Sequence, residues 1–208
     1  MTGSFRIAVL ASGNGTNLQA ILDQLHGRDG IEVVGVASDR PGAKALERAR
    51  KAGIEANEFP ERSYPDRTAR DAAIADWLER RQVDLVVLAG YMQLLSPQFV
   101  ERFRNRVINV HPALLPSFPG LEAVQQALDH GAQITGVTVH FVDEGVDSGP
   151  IIFQRPVPVP PSRDWQELED AIHRTEHALL PEAIRLLAAG RVSFDAANPR
   201  LVRIRPDP

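Results

Sequence analysis

Apolar positions along the first half of the chain recur with two different periods. Short, nearly continuous apolar runs at 5–11, 31–37, 54–59, 84–90 and 107–110 predict buried strands, the most apolar being Leu85-Val86-Val87-Leu88. Between them the apolar residues fall at helical spacing. Leu18, Ile21, Leu22 and Leu25 share one face of a helix over 17–25, and a second helix over 44–52 ends at Gly53. Ile74, Trp77 and Leu78 face inward on a third, over 66–81. Ser96 predicts the cap of a short helix with Pro97 at its first position. Strands apolar on both sides, alternating with helices, predict an α/β fold: a doubly wound, mostly parallel, Rossmann-like sheet.

The pattern changes after Gly120. A helix is predicted over 121–130. Residues 135–142 alternate like a half-exposed strand, with Val137, Val139 and Phe141 on one side and Thr138 and His140 on the other. Pro156 and Pro158 mark the next strand, 151–159, as an edge, and the two strands read as a hairpin around 143–149. Asp164 caps a long helix ending at Gly190, and 191–208 reads as a short strand and a loose tail. The second half therefore adds a C-terminal antiparallel extension to the parallel sheet.

Composition removes several function classes. A length of 208 residues predicts one domain, 1–208. With no cysteine there is no disulfide scaffold, thiolate metal site or cysteine nucleophile. A net charge of −4 supplies no general basic face for nucleic acid. No apolar run approaches the ~20 residues that cross a bilayer, and no secretory signal opens the chain. The expectation is a cytoplasmic protein with neither membrane nor nucleic-acid partner. Lys44 and Lys51 are the only lysines, so 21 of 23 basic residues are arginine, which we read as compositional bias.

Three segments carry candidate chemistry. Ser12-Gly13-Asn14-Gly15-Thr16-Asn17 follows the first strand and opens the first helix, where free N–H groups and the helix dipole suit an anion. Leu18 stands where a dinucleotide fingerprint needs its third glycine, so a single phosphate fits better than a pyrophosphate. In Asn109-Val110-His111-Pro112, Asn109 and His111 lie on one side of a strand end, at the edge where such sheets bind ligands. Carboxamide and imidazole together suit a developing oxyanion. The acidic loop 143–150 offers Asp143, Glu144 and Asp147 as a carboxylate for His111, with no basis in spacing to choose among them. No ligand pair has tight metal-binding spacing, so no metal is expected.

Taken together these segments, with Ala89-Gly90-Tyr91-Met92 and Val139-His140-Phe141-Val142, resemble the phosphoribosylglycinamide formyltransferase family of folate-dependent enzymes. The resemblance runs over essentially the whole chain. It implies a formyltransferase fold and transfer of a formyl group from 10-formyltetrahydrofolate to glycinamide ribonucleotide in purine biosynthesis. It implies a phosphate-binding half at 1–110, a catalytic and folate-binding half at 111–190, and a tail at 191–208. Gly15, Thr16, Asn17 and Glu176 are implied to bind the substrate. Arg67, Met92, Gln93, Leu94, Leu95 and Asn109 are implied to contact the folate. Asn109, His111 and Asp147 are implied to be catalytic, with Asp147 raising the imidazole pKa, and the Leu115–Pro116 bond is implied to be cis. Ala113 stands where the family often has serine, and Gln93 where some members carry arginine. The implied partners are small molecules, in a monomer or homodimer. The alternatives are a formyltetrahydrofolate hydrolase or methionyl-tRNA formyltransferase, both disfavoured by length and by the phosphate loop, and a noncatalytic sugar-phosphate-binding module.

Overall fold

The computed structural model describes residues 3–206. The first half builds β1 (Phe5–Leu10), α1 (Thr16–Gln24), β2 (Ile31–Ser38), α2 (Lys44–Lys51), β3 (Ala56–Glu58), α3 (Arg67–Glu79), β4 (Leu85–Leu88), α4 (Pro97–Arg102) and β5 (Val107–His111). The second half adds α5 (Ala123–Asp129), β6 (Ile134–Phe141), β7 (Ile151–Pro158), α6 (Trp165–Ala188), β8 (Val192–Phe194) and β9 (Val202–Ile204). The main sheet has the order β3-β2-β1-β4-β5-β6-β7. β1 pairs in parallel with β2 and β4, and β2 with β3, while β6 and β7 are antiparallel. The mostly parallel sheet with an antiparallel extension is the fold the apolar pattern predicts.

The chain divides into two compact units, 1–108 and 109–208. In the first, Ile7 to Leu10 and Val86 to Val87 are fully buried, as two-sided coverage requires. Strand order reverses between β1 and β4, the switch point where such sheets open a crevice. There the loop after β1 meets the segment after β4: Ser12 N donates to Gly90 O at 2.9 Å. The predicted Ser96 cap forms, accepting from Phe99 N, and Asp66, read as the first residue of its helix, caps α3 by accepting from Ala69 N.

In the second unit, β6 differs from its half-exposed expectation. From Thr135 to Phe141 every residue is buried. Thr138 is reconciled with burial because its hydroxyl donates to Ala113 O at 2.7 Å and accepts from Leu115 N at 3.1 Å. The register with β7 shifts between Val139 and His140, as a bulge would shift it. β7 is the edge strand, consistent with its prolines. Leu115–Pro116 is cis. α6 runs from its Asp164 cap with Pro181 inside it, beyond what the pattern revealed. The expected loose tail is instead an antiparallel hairpin, β8–β9, at whose turn Asp195 accepts from Ala197 N, Asn198 N and the Arg203 guanidinium. Residues 207–208 of the predicted tail lie outside the described residues.

Candidate active site

In the second unit, β5 delivers Asn109 and His111 to one side of its carboxyl end, as alternation requires. The β6–β7 loop brings Asp147 to them. His111 Nδ1 lies 3.3 Å from Asp147 Oδ2, and its Nε2 lies 2.8 Å from Phe118 O. Asn109 Nδ2 reaches Asp147 Oδ1 at 3.4 Å and His140 Nε2 at 3.3 Å, long bonds of the kind that tighten when substrate arrives. Gly120 N donates to Asp147 Oδ2 at 2.8 Å. The other carboxylates of this loop do different work. Asp143 accepts from Gly145 N and Ser148 Oγ and so shapes the turn, while Glu144 is exposed. Gly149 permits the turn, because a Cβ there would fall 1.8 Å from Phe141 O.

His140 is a member of this cluster that sequence reasoning did not single out. Its Nδ1–H donates to Phe141 O at 2.8 Å, which leaves Nε2 as the acceptor facing Asn109. The signal was its place beside Thr138 on the face of β6 that was read as exposed.

Burial dominates the His111 pKa and pushes it below the ordinary histidine value. Asp147 and the Phe118 carbonyl pull it upward by less. The expectation that Asp147 lifts the imidazole pKa therefore holds for that pair, and burial reverses the net result. For Asp147, burial raises the pKa, but the neighbouring His140 ring, the Gly120 N–H bond and the His111 ring together outweigh it and hold the carboxyl below its usual value. The buried cluster at rest is thus a carboxylate beside a neutral imidazole, with an oxygen acceptor already facing each ring nitrogen. It can take a proton onto the ring without rearranging.

These shifts set a pH dependence of stability. Below pH ~6.5 the unfolded chain binds a proton at His111 that the native state refuses, so stability falls on acidification. The Asp147 contribution persists until pH drops through its lowered pKa, well below that window. Thermal midpoints compared between about pH 7.5 and pH 5.5 should fall further for the wild type than for His111→Asn. Equal falls would place the titrating group elsewhere.

In the first unit, Gly15 begins α1 with φ 69°, and a Cβ there would lie 2.8 Å from Ala45 Cα and Cβ. The preceding carbonyls turn toward α2: Ala45 N donates to Gly13 O and Arg48 Nε to Asn14 O. Thr16 and Asn17 follow at the helix start, whose N–H groups suit an anion. Arg67 stands exposed at the first position of α3. Met92 and Leu94 are 51% and 56% exposed, whereas Gln93 and Leu95 are half-buried. Gln93 Oε1 accepts from Arg70 Nη1 at 3.1 Å, so its carboxamide is bonded within the unit. Glu176 is buried on α6 of the second unit. Arg70 and Asp71 also went unremarked in the sequence. They lie on the same helical stripe as Ile74, Trp77 and Leu78, and that spacing was the available signal.

Among the described residues, no group of three or more histidine and carboxylate side chains is placed to hold a metal, and no helix is long and apolar enough to cross a membrane.

Residues 5–184 match the family model described as formyl transferase. The chain belongs to the formyl transferase family. It is 44% identical to the phosphoribosylglycinamide formyltransferase of Mycobacterium tuberculosis, covering 90% of this chain and 87% of that protein. It is 45% identical over 188 residues to the trifunctional purine biosynthetic protein adenosine-3 of Drosophila pseudoobscura pseudoobscura. This chain spans only 14% of the length of that relative. Among solved structures it is similar to glycinamide ribonucleotide transformylase 1 from Symbiobacterium toebii: 51% identity, TM-score 0.94, covering 99% of this chain and 96% of that one.

Proposed function

We propose that this chain transfers the formyl group of 10-formyltetrahydrofolate to the amine of glycinamide ribonucleotide. The observation that carries the reading is the contact among Asn109, His111 and Asp147, on a chain of the formyl transferase family. A carboxamide donor, an imidazole and a carboxylate are the set that acyl transfer by direct attack requires.

In this reading the neutral amine attacks the formyl carbon, forming a C–N bond and a tetrahedral oxyanion. Asn109 Nδ2–H and the His111 ring meet the oxyanion. Negative charge beside the ring raises its pKa, so the ring starts neutral and holds a proton as the intermediate forms. Asp147 receives the proton lost by the attacking nitrogen, through water, and passes it to the adjacent His111 Nδ1. The bond from the formyl carbon to N10 then breaks and N10 takes that proton from the ring, releasing tetrahydrofolate and returning His111 to its neutral form. Gly15, Thr16 and Asn17 hold the ribose phosphate, with Glu176 as a further substrate contact. Arg67 and the Met92–Leu95 segment (Met92, Gln93, Leu94, Leu95) hold the folate, with Asn109 also touching it at the formyl end. The partners are small molecules alone. The protein acts in the cytoplasm as a monomer or homodimer, without nucleic acid.

The test mixes the protein with both substrates and follows tetrahydrofolate by absorbance. Formation that depends on glycinamide ribonucleotide is expected. Formate release in its absence, at the same rate, would make the protein a hydrolase and overturn the proposal.

A further inference from the structure

We propose that Asp39 is a positioning residue for the segment Met92–Leu95, acting on it through Ser12 and Gln93. The inference rests on the reading of that segment as the folate-binding one.

Asp39 follows β2 and is only 7% exposed. Each of its carboxylate oxygens is committed to a different arm. Oδ1 accepts from Ser12 Oγ at 2.5 Å, and Oδ2 accepts from Gln93 Nε2 at 3.2 Å. A serine hydroxyl has one hydrogen and two lone pairs. With the hydrogen held by Asp39, the Ser12 oxygen presents a lone pair to Met92 N, which donates to it at 2.8 Å. Asp39 therefore sets the direction of the hydroxyl that anchors the backbone at Met92.

The second arm orients the carboxamide of Gln93. Its amino group faces Asp39 and its oxygen faces Arg70 Nη1 at 3.1 Å. An amide can donate to an anion and accept from a cation at once. Arg70 Nε and Nη2 donate to Asp71 Oδ1, and Asp71 Oδ2 accepts from Ser96 N at 2.5 Å. The chain of bonds thus grips the segment at Met92, at Gln93 and just past its end at Ser96. Met92 and Leu94 meanwhile turn apolar side chains to solvent, 51% and 56% exposed. A fixed backbone carrying exposed apolar side chains is the arrangement a flat heterocycle needs for hydrogen bonding along its edge and packing on its face. The Gln93 carboxamide, bonded at both ends within the unit, serves binding of the formyl donor by holding the segment in place.

Asp39→Ala and Asp39→Asn test the inference. Asp39→Ala removes both arms and should raise KM for 10-formyltetrahydrofolate about tenfold, the change that ~1.4 kcal/mol represents. The kcat and the KM for glycinamide ribonucleotide should stay within about twofold of wild type, since neither depends on that segment. Asp39→Asn keeps an acceptor for Ser12 but loses the one for Gln93, so its rise should be smaller. Gln93→Ala should match Asp39→Asn and add little to it, because both remove the same arm. The comparison of those two milder variants decides the matter if Asp39→Ala folds poorly. Equal rises in both KM values, or strictly additive effects of the milder pair, would overturn the proposal. Amide hydrogen exchange supplies an arm independent of activity: Met92 should exchange faster in Asp39→Ala than in the wild type, and unchanged exchange would overturn the positioning role. Absence of formyl transfer by the wild type would instead remove the functional reading, leaving the exchange result to decide what Asp39 does.

Discussion

Replacing His111 with alanine should lower kcat for formyl transfer by about 10²–10³-fold, the usual loss when one oxyanion-stabilising group is removed. KM for both substrates should change little, because the ring is assigned to the transition state and not to ground-state binding. His111 lies between Asp147 and Phe118 O, each facing one ring nitrogen. Removing the ring therefore also leaves Asp147 without a charge partner at the moment a proton must be held. Asn109→Ala should cost a comparable factor. The double variant should be far less impaired than the product of the two singles, since both groups serve one intermediate. Steady-state kinetics on the purified variants, with circular dichroism to confirm folding, measures this. A His111→Ala enzyme with near-normal turnover would end the mechanism as drawn.

The second large effect is on stability. Arg70 and Asp71 are 1% and 0% exposed, joined by two bonds to one carboxylate oxygen at 3.0 and 2.9 Å. Arg70→Met strips the cation and leaves a buried carboxylate whose remaining partner is Ser96 N. Breaking a buried pair from one side typically costs about 3–5 kcal/mol. For a chain of this size that corresponds to a fall of roughly 10 °C in the thermal midpoint. Arg70→Met combined with Asp71→Asn should recover part of the loss, because the uncompensated charge is gone. Calorimetry on the wild type, the single and the double variant checks both statements. A single-variant loss below about 1 kcal/mol, the range of an exposed pair, would mean the ion pair is solvated in practice.

Both effects arise from charged groups in buried places, and the sequence revealed them unequally. Asn109 and His111 were legible because two-residue alternation puts them on one side of a strand end. Asp147 was not separable from Asp143 and Glu144 by residue type or spacing, and only family resemblance favoured it. The structure distinguishes them by contact: Asp143 closes its own turn, while Asp147 reaches both His111 and Asn109. Arg70 and Asp71 were passed over because charged residues on a helix normally face water. Their burial depends on Gln93 and Ser96, which come from a loop more than twenty residues away.

The local pattern by itself determined the strand–helix alternation, the caps at Ser96 and Asp164, the edge character of β7 and the glycine-started α1. Each follows from periodicity, backbone conformation or a side-chain–backbone bond within a few residues, so no distant contact is needed. Tertiary structure decided the rest. It buried both faces of β6, turned the tail into the β8–β9 hairpin and brought His140 to Asn109. It also decided the charge state at the centre. The acidic neighbour of His111 argued for a raised pKa, yet the balance between attraction and desolvation depends on how much water the packed chain excludes, and here exclusion prevails. Exclusion of water is a property of packing between segments distant in sequence, which is why no reading of residue types in order contains it.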